Sequence, residues 1–340
     1  MRIILVGFGT VGQSFVKLLQ EVEGRLLSSY GIRPRLVAVV DKGGAALNPR
    51  GLDASKILQV KAEKGTVAAY PEFGRPGLKG LEVIEQTPAE VLVEVTPTNI
   101  VDGEPGLSHI MAALRTGKHV VTANKGPMAL AFQALMELAD YNGVFLRFSG
   151  CVGGGTPILD FAGKCLLGDR IISIKGILNG TTNYILTRMA EEGLSFEQAL
   201  REAQQAGYAE ADPSMDVDGW DSACKLVILA NWILKRKVRL KDVRVKGIRE
   251  VTLEDVREAL KRRSQIKLIA YADERELRVS PELVPMGHPL CVSGVLNAVC
   301  FHTQHAGEET IIGKGAGGPE TASAILRDLI NIKQAAVQLS

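Results

Sequence analysis

The start of the chain limits the fold more than any other stretch. "RIILV", residues 2 to 6, has the apolar run of a buried strand, "GFGTVG" comes next without a spacer, and "QSFVKLLQEV" continues as a helix. Gly7, Gly9 and Gly12 therefore take the G-x-G-x-x-G spacing, with the strand before and the helix after that a dinucleotide-binding turn requires. Each glycine has its own reason. Gly7 permits the tight turn, Gly9 lets backbone approach a pyrophosphate, and Gly12 lets the helix pack on the strand. The helix N-terminus then faces the phosphate charge, so backbone from Gly7 through Phe8, Gly9, Thr10, Val11 and Gly12 forms the expected cofactor cradle.

The alternation of strand and helix then repeats along the first half of the chain. "PRLVAVV" is a second strand and ends at Asp41, where a carboxylate suits an adenosine ribose, while Lys42 beside it suits the extra phosphate of NADP. NAD and NADP both remain open. "EVLVEVTP" and "GKHVVTANK" are further strands separated by the helical run "PGLSHIMAALRTG", and "VFLRFSG" closes the series after another helix. Such alternation predicts an α/β fold with a doubly wound parallel sheet. Ligands of these sheets meet the carboxyl ends of the strands, which here carry Thr96 and Lys125. Both are candidate cofactor contacts, and Lys125 is a candidate substrate contact as well.

Composition excludes several other readings. The 340 residues suffice for two domains, and 46% apolar with 23% charged residues is ordinary for a soluble globular protein. A net charge of +2 gives no reason to invoke nucleic acid or an acidic membrane surface, and no apolar run reaches membrane-spanning length. Five cysteines without C-x-x-C spacing suggest neither a disulfide framework nor a zinc site. His302 and His305 in "CFHTQHAG" would face opposite sides of an alternating strand. With no cleavable signal pattern at the N-terminus, a reducing cytoplasm is the expected home.

Beyond residue 150 the texture changes. Gly153 to Gly155 free the backbone of "CVGGGTPI" to curve, offering carbonyls to a cation or amides to an anion, or simply forming a loop. In "GILNGTTNYIL" a strand ends at Asn179-Gly180, and Thr181 or Thr182 is the expected cap of the next helix. Glu210, Asp212, Asp216, Asp218 and Asp221 then crowd around a loop, which suits a substrate ammonium, with a hard metal cation as the rival. "DSACKLVILANWIL" predicts a helix over Ser222 to Leu234, with Asp221 and Lys225 one turn apart on a stripe that continues through Ile228 and Trp232. Taken alone, the pair reads as a surface ion pair near a helix start.

"VGFGTVG", "VEVTPTN", "HVVTANKGP", "VGGGTPI", "GILNGTTNYIL", "AGYAEADPSMDVDGWDSACKLVILA" and "GKGAGG" together resemble the homoserine dehydrogenase family, in that family's order and over nearly the whole chain. The resemblance implies NAD(P)-dependent interconversion of L-homoserine, a small-molecule substrate, and L-aspartate 4-semialdehyde, on the route to threonine and methionine. It implies a nucleotide-binding domain over 1–147 and 315–340, a Rossmann-like domain that includes a returning C-terminal helix. An α+β catalytic and dimerisation domain would span 148–314, and the enzyme would be a homodimer. Lys225 corresponds to the family's catalytic lysine and Asp221 to its partner. Glu210 corresponds to a substrate binder, beside Asp216, and Lys125 to a second substrate-site lysine. Gly207 and Gly315 fall at cofactor-proximal glycines. Val152, Gly154 and Thr156 would hold a monovalent cation such as sodium through backbone carbonyls, although Ser149 stands where the family often has Glu. Many members carry a further regulatory domain; this chain stops at Ser340, so the resemblance gives no basis for threonine feedback.

The expected step is hydride transfer to the aldehyde carbon, with Lys225 protonating the developing alkoxide, Asp221 keeping Lys225 charged, and Lys125 orienting the reacting oxygen. Two alternatives stand beside it. One is a phosphorylating semialdehyde dehydrogenase with Cys151 as nucleophile, which needs an activated thiolate and a base. The other is a non-catalytic NAD(P)-sensing regulator, against which the intact Asp221/Lys225 pair argues.

Overall fold

The computed structural model describes residues 1–338, which divide into two compact units: Met1–Cys151 with the segment from Gly317 onward, and Val152–Ala316. In the first unit, β1 (Arg2–Val6), β2 (Arg35–Asp41), β3 (Gly44–Leu47), β4 (Gly74–Pro76), β5 (Val91–Glu94), β6 (His119–Thr122) and β7 (Leu146–Arg147) form one sheet. Its order is β4-β3-β2-β1-β5-β6-β7. The five strands from β2 to β7 in that order are parallel, and β3 and β4 add an antiparallel edge. The strand order reverses between β1 and β5, the point at which such sheets take their ligands. Helices α1 (Thr10–Tyr30), α2 (Ala54–Lys64), α3 (Gly80–Gln86), α4 (Gly106–Arg115) and α5 (Lys125–Tyr141) occupy the connections.

The second unit holds β8 (Ile171–Ile177), β9 (Arg244–Val245), β10 (Ser264–Ala272), β11 (Leu277–Pro285), β12 (Leu296–Thr303) and β13 (Glu308–Lys314), in the order β13-β12-β8-β10-β11-β9. All neighbours are antiparallel except β9 and β11. Its helices are α6 (Ile158–Asp160), which runs into a π turn over Phe161–Cys165, α7 (Gly180–Glu192), α8 (Phe196–Gln205), α9 (Ser214–Val217), α10 (Trp220–Trp232) and α11 (Leu253–Lys261). Of these, α7, α10 and α11 pack against β10. The last helix, α12 (Gly318–Gln338), belongs to the first unit: it packs along α1, and its Ala322, Ile325 and Leu329 join Ile3, Leu5 and Phe15 in one buried core. The fold class read from the sequence, a doubly wound sheet plus an α+β domain, is the one observed.

Three local readings need correction. α10 begins two residues earlier than the apolar run suggests, because Gly219 in the left-handed conformation (φ 89°) lets the chain turn directly into Trp220. It also ends two residues earlier, where Lys235 at positive φ breaks the continuation. α7 is capped by Asn179, whose side chain accepts from the Thr182 N–H at 2.8 Å, rather than by a threonine. His305 lies beyond β12 in a turn, so only His302 is on the strand.

Candidate active site

The glycine turn is built as its spacing demands. A side-chain carbon on Gly7 would lie 2.5 Å from the Val95 carbonyl oxygen, and one on Gly12 would lie 2.2 Å from the Gly7 carbonyl, so β1, the turn and α1 close up only with glycine there. At Gly9 nothing lies within 4 Å of that position, which leaves open space above the turn. No side chain caps α1 and its first turn holds no acid, so its N–H groups face an anion unopposed by negative charge. Phe8 is buried in the core, leaving its backbone as its contribution, whereas Thr10 is exposed and Val11 half-buried. These features fit a bound dinucleotide.

Asp41 behaves differently from the simple ribose acceptor. One carboxylate oxygen accepts from the Gly43 N–H at 2.9 Å and the Thr66 hydroxyl at 2.8 Å; the other accepts from Lys61 Nζ at 2.7 Å and the Val67 N–H at 3.0 Å. Burial alone would push the carboxyl up, but these donors, Lys61 foremost, hold it below the usual range. A ribose hydroxyl would have to compete with four donors already in place. Lys42 stands exposed beside this network.

In the second unit, the Asp221–Lys225 pair is buried. Asp221 through Asn231 are all buried, so α10 is a core helix rather than an amphipathic one. Lys225 Nζ donates to Asp221 Oδ2 at 2.7 Å and to the Leu178 carbonyl at 2.6 Å, with both side chains 8% exposed. Asn179 Nδ2 bridges the two acids, donating to Asp221 Oδ2 at 2.8 Å and to Asp216 Oδ1 at 2.6 Å, while its Oδ1 caps α7. The amide orientation is thereby fixed at both ends. The Asp216 carboxyl is pushed up, first by burial and then by the Asp221 charge.

The crowded acids therefore divide. Asp216 and Asp221 meet at Asn179, Asp212 caps Ser214 at 3.0 Å, and Asp218 pairs with Arg249. Glu210 is exposed, and its backbone carbonyl accepts from Gln204 Nε2 at 3.1 Å. Among the described residues no group of three or more His, Cys, Asp or Glu is placed to hold a metal ion. Sequence reasoning misses Asn179 and the Leu178 carbonyl as site groups. The only signal for them is a polar Asn-Gly pair at the end of a buried strand.

Gly207 closes α8, its N–H donating to the Gln204 carbonyl at 3.1 Å. Gly315 lies against the buried Asn297, whose amide nitrogen would be 2.0 Å from any added side-chain carbon. In the 152–156 loop the Thr156 N–H donates to the Gly153 carbonyl and the Thr156 carbonyl accepts from the Ile158 N–H, each at 2.8 Å. Ser149, in the first unit, donates its hydroxyl at 2.6 Å and its N–H at 2.8 Å to the buried Asp328 carboxylate. Cys151 is 1% exposed, its thiol faces the Thr122 carbonyl, and burial pushes it far above the ordinary thiol range. That is the opposite of an activated nucleophile, and the Cys151 alternative falls.

Both halves of the chain match models of one family. Residues 7–149 match "Homoserine dehydrogenase, NAD binding domain" and residues 157–330 match "Homoserine dehydrogenase". The chain belongs to the homoserine dehydrogenase family. A homoserine dehydrogenase of Methanocaldococcus jannaschii is 48% identical over 98% of each chain, and an NAD(+)-dependent homoserine dehydrogenase of Pseudomonas canavaninivorans is 41% identical over 99% of this chain and 97% of its own. A hyperthermophilic archaeal homoserine dehydrogenase solved in complex with NADPH superposes with a TM-score of 0.87 at 29% identity, covering 98% of both chains. Homoserine dehydrogenases are NAD(P)-dependent oxidoreductases, so the sensor alternative has no support among these relatives.

Proposed function

We infer that this member of the family interconverts L-homoserine and L-aspartate 4-semialdehyde, supporting threonine and methionine synthesis, with Lys225 as its proton donor and acceptor. The single observation behind the assignment is the Asp221–Lys225 ion pair inside a helix buried from Asp221 to Asn231. A pair of this kind carries a desolvation cost that an exposed pair avoids, so its place in the core asks for a reason other than stability. Two of the three ammonium protons are held by Asp221 and Leu178, which aims the remaining one. In the reductive direction the nicotinamide supplies the hydride when bound, and Lys225 gives the aimed proton to the developing alkoxide; in the oxidative direction it takes the hydroxyl proton. Asp221 orients the ammonium, Asn179 holds Asp221 and Asp216 together, and Asp216 with Glu210 receives the substrate ammonium. Lys125 supplies a second cationic contact to the substrate.

In the first unit Gly7 to Gly12 with Thr96 are the cofactor residues of this reading, and in the second Gly207 and Gly315. Because Asp41 is already engaged, Lys42 and Lys61 set the charge that an adenosine ribose or its phosphate would meet. A monovalent cation on the carbonyls of Val152, Gly154 and Thr156 is compatible with the loop, since a carbonyl that accepts one N–H keeps a second lone pair. A cytoplasmic homodimer is the form expected of the enzyme, and sedimentation at micromolar concentration reading a single-chain mass would refute the dimer.

The test is homoserine oxidation with NAD and NADP in parallel. Wild-type protein should turn over with at least one of them, and Lys225→Ala should lower kcat by about 100- to 10,000-fold while leaving NAD(P)H fluorescence titrations nearly unchanged. Near-normal turnover in Lys225→Ala removes Lys225 from the mechanism, and no wild-type turnover with either cofactor removes the function.

A further inference from the structure

We propose that Glu94 is a positioning residue: a buried carboxylate that, through Thr96 and Asn124, sets the helix start carrying Lys125. The proposal rests on the reading of Lys125 as a substrate contact. Glu94 ends β5 beside the strand-order reversal and is fully buried. Its carboxylate oxygens meet only donors. The Thr96 N–H reaches Oε1 at 3.1 Å, the Thr96 hydroxyl makes a short bond to the same oxygen, and the Thr122 hydroxyl reaches Oε2 at 3.3 Å. The two carboxylate oxygens have lone pairs enough for all three.

The polarity of these bonds propagates. With its proton turned to Glu94, the Thr96 oxygen presents lone pairs outward, and Asn124 Nδ2 donates to it at 3.1 Å and to the Pro97 carbonyl at 3.3 Å. The Thr122 hydroxyl, likewise turned to Glu94, accepts from the Asn124 N–H at 3.0 Å. Asn124 is thus held by nitrogen on one side, which leaves its Oδ1 to accept from the Gly126 N–H at 3.2 Å and cap α5. Lys125 is the first residue of that helix. Replacing the carboxylate by an amide would remove an acceptor on which Thr96 and Thr122 close, and so loosen the contacts that both make to Asn124.

A second buried group points at the same carboxylate. His109 on α4 is 6% exposed, and its Nδ1 lies 3.8 Å from Glu94 Oε1 with no hydrogen-bond partner among the described residues. The ring has space because position 80 is glycine: a side-chain carbon there would lie 2.7 Å from His109 Nε2. The imidazole thus flanks the Glu94 carboxylate, and both side chains are buried. Neither Glu94 nor His109 need touch substrate or cofactor for this role.

Glu94→Gln keeps shape and replaces one acceptor by a donor. It should fold, bind NADPH within about threefold of wild type, and lose about 10- to 100-fold in kcat with a smaller change in KM for homoserine, the pattern of a misplaced group rather than a lost binding contact. Asn124→Ala should show a similar loss, and the double variant should be no slower than the worse single one. Wild-type kcat in Glu94→Gln, or losses that multiply in the double variant, would overturn the proposal. If Glu94→Gln does not fold, Thr96→Val breaks the relay one bond later; unchanged kcat there would overturn it equally. Wild-type turnover of homoserine, measured alongside, separates failure of this proposal from failure of the assigned function.

Discussion

Lys267 offers the sharpest quantitative test of the second unit. It sits in the middle of β10 with no exposed surface, and burial lowers its amine to about 8 from an ordinary 10.5. Nζ donates to the Val292 carbonyl at 2.7 Å and weakly to the Thr187 hydroxyl at 3.4 Å, so it fastens the 292–294 segment to α7. Below pH 8 the amine is charged in both folded and unfolded chains, and the folded state bears the full desolvation cost. Between pH 8 and 10.5 the unfolded chain binds more protons than the folded one, so stability rises with pH. The drop from 10.5 to about 8 corresponds to about 3 kcal/mol. Lys267→Met removes this titration while Val292 keeps the Asn183 amide at 3.2 Å as a donor. The difference in unfolding free energy between wild type and variant should therefore shift by about 3 kcal/mol in favour of wild type between pH 7.5 and 10.5. Both tryptophans, Trp220 and Trp232, lie in the same unit, so urea unfolding followed by tryptophan fluorescence reports the relevant transition. Curves for the two proteins that stay parallel across this range would refute the reasoning.

Lys61→Ala removes the cation that faces Asp41 and should raise the Kd for NADPH about tenfold more than that for NADH, because charge-assisted contacts to phosphate are worth about 1.5–3 kcal/mol. An unchanged ratio in fluorescence titrations would dismiss Lys61 as a determinant. If Val152, Gly154 and Thr156 hold a monovalent cation, sodium chloride should raise the melting temperature above that in choline chloride at equal ionic strength. Equal temperatures would count against the site.

The parts of the fold that depend on local chemistry are legible in the sequence. Gly7 and Gly12 announce the turn because each answers a backbone contact, with the residue after an adjacent strand or within a few residues, while Gly9 keeps the space above the turn open. The short strands β3 and β4 are not legible, since "GAAL" and "GRP" have no alternation and become strands only by pairing at the sheet edge. Asp41 reads as a ribose acceptor because three of its four donors, Lys61, Thr66 and Val67, arrive 20 to 26 positions later. Asn179 reads as a helix terminus, which it is; that its other end bridges Asp216 and Asp221 depends on pairing across 37 and 42 positions. Glu94 gives no signal at all, because one acid in an apolar strand carries no spacing to read.

The reach of Asp221 and Lys225 into the core yields a test that separates function from stability. Removing one partner alone leaves an uncompensated buried charge and should destabilise by about 3–5 kcal/mol, whichever role the pair has. Replacing both removes the ambiguity. In Asp221→Leu/Lys225→Met the helix becomes wholly apolar along the stripe shared with Ile228, and the desolvation cost of two ions disappears. Well-packed apolar replacements of buried ion pairs are often neutral or stabilising by about 1–4 kcal/mol. Asn179 would lose one acceptor but keep Asp216 Oδ1 at 2.6 Å and its cap to Thr182, and the Leu178 carbonyl would lose the Lys225 donor along with the ion pair. The double variant should therefore melt at or above the wild-type temperature while its kcat falls at least about 100-fold. A pair retained for chemistry predicts that dissociation; a double variant that loses stability and activity in parallel would show that the pair serves the fold.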